Sequence, residues 1–68
     1  VKPVLRKGSQ GEEVRELQQR LNASGYSCGK ADGIFGQKTL EAVTAFQSDR
    51  GLAVDGVVGA KTWDELNK

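Results

Sequence analysis

The eight residues Asp32-Gly-Ile-Phe-Gly-Gln-Lys-Thr39 recur as Asp55-Gly-Val-Val-Gly-Ala-Lys-Thr62, 23 positions further on. The match runs past the motif, pairing Leu40 with Trp63 and Val43 with Leu66. A second correspondence lies upstream, where Val14, Leu17 and Gln18 match Val43, Phe46 and Gln47 at a shift of 29. Such self-similarity is the mark of a repeated supersecondary unit. Each unit reads as a helix, a loop, and a glycine-punctuated turn that opens the next helix. Two overlapping units give three helices and an all-α fold.

The turn has a physical reading. Asp at its head accepts a hydrogen bond from its own backbone two residues on. Gly33 and Gly56 supply positive φ without steric cost. Gly36 and Gly59 free the backbone just before a helix. Working outward, Ser9 followed by Glu12 predicts a capping box, and Val14, Leu17 and Leu21 predict a helix from about Gly11 to Ala23. Leu40, Val43 and Phe46 predict a second helix from Gln37 to Gly51, with Arg50 in its last turn, where a cation suits the helix dipole. Trp63 and Leu66 mark the inner face of a short third helix. Leu52 and Val54 alternate as in a strand, over too short a run to build a sheet. Gln18 and Gln47 fall on apolar helix faces. A buried amide must be hydrogen-bonded, so each is expected to pin a neighbouring loop.

Sixty-eight residues make a single domain, 1–68, with residues 1–4 expected to be a linker end. The chain starts on Val1, which reads as the start of a piece of something longer. A domain this short has a thin stability margin and commonly needs a staple. Cys28 has no partner for a disulfide, and with no His and one Cys a zinc site is not expected. Packing and side-chain bonds to the main chain must do that work. Ten basic against nine acidic residues, interspersed, argue against a nucleic-acid partner. No apolar run approaches a membrane span.

Three chemistries can be weighed on the residues. An EF-type calcium loop with Gly33 at its sixth position would place Cys28, Lys30, Asp32 and Thr39 at the ligand positions, and the second loop would offer Gly51, Ala53, Asp55 and Thr62. One carboxylate per loop is not a calcium site. Neither turn is a phosphate loop, because a residue separates Gly from Lys in both. With no His to activate Cys28 and no cleft to hold an acid pair, neither catalytic residues nor a cofactor are expected. Of the four aromatic residues, Phe35, Phe46 and Trp63 read as core, which leaves Tyr26 either as the one platform for a sugar ring or, on equal footing, as a packed ring with its hydroxyl in water.

The order L-R-x-G-S-x-G-x-x-V-x-x-L-Q-x-x-L-x-x-x-G-Y, then D-G-x-F-G-x-x-T-x-x-A-V-x-x-F-Q-x-x-x-G-L-x-V-D-G-x-V-G-x-x-T-W-x-x-L, runs from Leu5 to Leu66. It closely resembles the type-1 peptidoglycan-binding domain. The resemblance implies a compact three-helix module that binds peptidoglycan without catalysis. It also implies an attached catalytic domain, such as an amidase, muramidase, carboxypeptidase or transpeptidase, and an extracellular or cell-wall location. A relative of this fold occurs in matrix metalloprotease propeptides, whose cysteine-switch motif is absent here. The alternative is a protein-interaction or pro-domain module that packs on its own catalytic domain. The family supplies no ligand residues to carry over. Candidate ligand contacts are therefore chosen locally, in or beside the turns: Tyr26, Asp32, Gln37, Asp55 and Lys61.

Overall fold

The computed structural model describes residues 3–68. Three helices follow in order, α1 (Glu12–Ala23), α2 (Gln37–Asp49) and α3 (Ala60–Leu66). No strand longer than a single bridge is present among the described residues. The apolar spacing explains the faces that are buried. Val14, Leu17 and Leu21 of α1, Val43 and Phe46 of α2, and Trp63 and Leu66 of α3 enter one core. Phe35 and Val58, at the same place in each turn, join it. Leu40 is only half-buried at its edge, while Thr39 and Ala42 face inward instead.

The first two helices stop in the same way. After α1, the Gly25 N–H donates to the Asn22 carbonyl and the Tyr26 N–H to the Leu21 carbonyl. After α2, Gly51 donates to Ser48 and Leu52 to Gln47. Gly25 (φ 91°) and Gly51 (φ 70°) take the left-handed conformation that this double closure requires. Arg50 therefore sits just past α2, with its guanidinium 5.0 Å from the centre of the Phe46 ring.

The expected capping box does not form. Gly11 is the residue before α1 and no side chain caps the helix. The Ser9 hydroxyl is already engaged in a tight turn, where it accepts the Arg6 N–H at 3.1 Å. Gly11 in turn donates its N–H to the Gly33 carbonyl. Glu12 and Glu13 still lie in the first turn of α1, at the positive end of the dipole.

The segment before α1 runs along both turns. Leu5 exchanges two backbone hydrogen bonds with Val58, at 3.1 and 2.7 Å. Gly8 donates to the Phe35 carbonyl, and Phe35 donates back to Ser9. Of the expected linker end, Val1 and Lys2 lie outside the described residues. Pro3 accepts the Trp63 indole N–H at 3.0 Å, and the exposed Val4 leads into the buried Leu5.

Candidate functional site

Each Asp-Gly turn is organised by one buried glutamine, and the two arrangements match bond for bond. In the first, the Gln18 side-chain carbonyl accepts the Gly33 N–H at 2.9 Å. Its amide nitrogen reaches Asp32 Oδ1 (3.2 Å), the Ile34 carbonyl (2.9 Å) and Thr39 Oγ1 (3.0 Å). In the second, Gln47 accepts from Gly56 at 3.1 Å and reaches Asp55 Oδ1 (3.1 Å), the Val57 carbonyl (2.9 Å) and Thr62 Oγ1 (3.3 Å). The aspartates close their own turns, Asp32 Oδ1 accepting from Ile34 and Asp55 Oδ1 from Val57. Gly33 and Gly56 stand at φ 79° and 73°. Both glutamines are about 1% exposed, yet no buried side-chain polar atom lacks a partner among the described residues. These bonds take the place of a staple.

The same bonds set the electrostatics. The Ile34 N–H, followed by the Gln18 amide, holds the Asp32 carboxyl below its ordinary range. The Val57 N–H and the Gln47 amide do the same for Asp55. Both residues are exposed, so each presents a fixed negative charge at the surface.

An open groove lies against each turn. The first, of about 380 Å³, is lined by Asp32, Ile34, Gln37 and Lys38, with Gln18 and Cys28 at its base. The second, of about 360 Å³, is lined by Leu52, Asp55, Val57 and Lys61, with Gln47 and Thr62 at its base. Four of the five candidate residues therefore fall in two places: Asp32 and Gln37 in the first groove, Asp55 and Lys61 in the second. Gln37 is drawn into a surface chain, accepting from Lys7 Nζ and donating to Glu41. Its counterpart in the second turn is Ala60, so that rim is bare.

Tyr26 lies apart from both grooves. Its hydroxyl donates to Asp49 at 2.7 Å and its ring meets Phe46 edge-on, with centroids 5.3 Å apart. The Asp49 hydrogen bond and partial desolvation push its phenol above the usual value. The ring ties the end of α1 to the end of α2. Lys38, absent from the candidates, is the residue the repeat aligns with Lys61. Cys28 is buried, its thiol directed at the Gln18 carbonyl, and burial raises its pKa. Among the described residues no cluster of metal-ligating side chains occurs, and no helix is long and apolar enough to cross a membrane.

Comparison with known proteins places this architecture. A family model described as a putative peptidoglycan binding domain matches residues 10–66. The chain is 49% identical over 65 residues to a spore cortex-lytic enzyme of Bacillus cereus, covering 96% of this chain and 25% of that protein. It is 52% identical over 64 residues to the spore cortex-lytic enzyme of Bacillus subtilis, covering 93% and 21%. An N-acetylmuramoyl-L-alanine amidase of Bacillus licheniformis, CwlL, is 46% identical over 61 residues, covering 87% and 17%. The chain thus spans a quarter or less of the length of these curated relatives. Among solved structures, the SleB N-terminal domain superposes with a TM-score of 0.93 at 46% identity, covering 98% of this chain and 92% of that one. An L,D-transpeptidase from Xylanimonas cellulosilytica gives 0.93 at 48% identity, covering 98% and 33%. A three-helix module that recurs as a small part of lytic enzymes, amidases and a transpeptidase is not itself their catalytic part, and the chain belongs to the peptidoglycan-binding domain family.

Proposed function

We propose that this domain binds bacterial peptidoglycan and holds an attached wall-active enzyme against its substrate, outside the cytoplasm. The observation that supports the reading most is the family match over residues 10–66. The recurrence of the module beside different hydrolytic and transfer activities supports the anchoring role. The grooves are open and shallow, which suits weak contact with a repetitive polymer better than deep capture of a small molecule. A single contact of this kind has a Kd of about 0.1–1 mM, roughly −4 to −5.5 kcal/mol. Tethering to a catalytic domain makes that sufficient, because it raises the local concentration of enzyme at the wall without trapping it.

The test is retention of the 68-residue chain on purified insoluble peptidoglycan at low ionic strength, with folding checked by circular dichroism. Co-sedimentation with the polymer is expected. A folded chain that stays in the supernatant overturns the reading.

A further inference from the structure

A sugar face is usually held by an exposed aromatic ring, and this domain has none to offer in either groove. Phe35, Phe46 and Trp63 are 3% exposed or less. Tyr26 is committed to Phe46 and Asp49. What each groove carries is at least one pair of opposite charges. Asp32 stands with Lys38, and also with Lys30, in the first, and Asp55 with Lys61 in the second. In each aspartate only Oδ1 serves the turn. Oδ2 makes no hydrogen bond or close ion pair among the described residues, although the Lys30 charge acts on the Asp32 carboxyl, and the ammonium of Lys38 or Lys61 makes none either. An apolar side chain, Ile34 or Val57, lies in the same groove. The buried glutamine and the closed turn hold the carboxylate in place in both.

An N-acetylated glycan strand brings no charge to such a pair. A peptide stem brings both signs, as amino groups and carboxylates, on a short aliphatic frame. Resting on the peptidoglycan-binding reading above, we infer that each groove takes one peptide stem, with its amine on the aspartate and its carboxylate on the lysine, so that one domain engages two stems of the polymer. The two grooves share Gln, Asp, Gly, Lys and Thr at equivalent positions, and that equivalence supports a count of two.

The test uses the whole 68-residue chain with two probes, the stem tripeptide L-Ala-γ-D-Glu-meso-diaminopimelate and the uncharged sugar tri-N-acetylchitotriose. Backbone amide shifts are followed by NMR, together with retention on insoluble peptidoglycan. The tripeptide is expected to shift amides around both Asp32–Thr39 and Asp55–Thr62, and the chitotriose neither. Lys38→Gln should weaken the first set, where Lys30 remains, and leave the second, and Lys61→Gln should abolish the second and leave the first. Both lysines are exposed, so both variants should stay folded. Loss of one of two linked contacts should weaken retention on the polymer by at least about tenfold. If the folded chain is not retained on peptidoglycan at all, the functional reading falls and this inference with it. If it is retained but the tripeptide shifts neither loop, or the chitotriose shifts them instead, only the inference falls. Shifts confined to one groove refute the count of two.

Discussion

Replacing Gln47 by methionine keeps the length and the unbranched shape of the side chain and removes every hydrogen bond it makes. The Gly56 N–H, on a buried residue, loses its acceptor, and the half-buried Val57 carbonyl loses its donor. A buried donor left unpaired costs about 1–3 kcal/mol, and a carbonyl that water can partly reach costs about 1 kcal/mol. The expected loss is therefore about 2–4 kcal/mol. A chain of this length has roughly 3–10 kcal/mol in total, at about 0.05–0.15 kcal/mol per residue. Urea unfolding, followed by Trp63 fluorescence and by circular dichroism, measures the change. With a slope near 1 kcal/mol per molar, at the low end for small domains, the midpoint should fall by about 2–4 M. The control is Gln19→Met on the exposed face of α1, expected to stay within about 0.5 kcal/mol. A Gln47→Met variant that loses no more than this control, at unchanged slope, would refute the view that the amide holds the turn.

The remaining predictions concern backbone, pH and thiol. Gly33→Ala should cost clearly more than Gly51→Ala in the same urea assay. Both sit at positive φ, worth about 1–2 kcal/mol, but a Cβ at Gly33 would meet the Gly11 carbonyl oxygen at 3.2 Å, whereas at Gly51 it meets open space. Asp32 and Asp55 have carboxyls held below their ordinary value in the folded state, so the unfolded chain binds protons first as pH falls. Their contribution is complete above about pH 4 and is lost as pH drops through the folded values. Asp55→Asn should flatten the acid limb of a stability–pH profile, and an unchanged limb would remove Asp55 from this role. Cys28, 3% exposed and with its pKa raised by burial, should react with a thiol reagent under native conditions far more slowly than in urea. Comparable rates in the two conditions would mean that the loop opens freely.

Much of this fold is legible in the sequence because its main signals are local. The spacing of Val14, Leu17 and Leu21 is a helix face in any context, and Gly25 and Gly51 can be placed as helix stops from their neighbours alone. The role of Gln18 and Gln47 is legible as well, since a glutamine on an apolar face must find partners and the nearest are in the following loop. Contacts that join distant segments leave no such trace. Nothing about Leu5 announces Val58, and although the turn of Ser9 back to Arg6 is local, nothing in the Ser9–Glu12 spacing shows that it wins over capping α1. Tyr26 reads as a sugar platform or as a packed ring; the ring does pack, on Phe46, and nothing local shows that Asp49, 23 residues away, takes its hydroxyl. The candidate residues of the turns could be found because the repeat marks them. Lys38 could have been found in the same way, by taking the alignment with Lys61 at face value.

The clasp between the start of the chain and its last helix has a mechanical meaning. Leu5 is bonded to Val58, and Pro3 accepts from Trp63. Tension applied between the two ends passes from residues 3–5 straight across to residues 58–63 through those bonds. The covalent path through residues 6–57, which carries α1, α2 and the whole of the first groove, is bypassed while the clasp holds. Tension between the two ends would therefore load three hydrogen bonds first and leave the first groove out of its path.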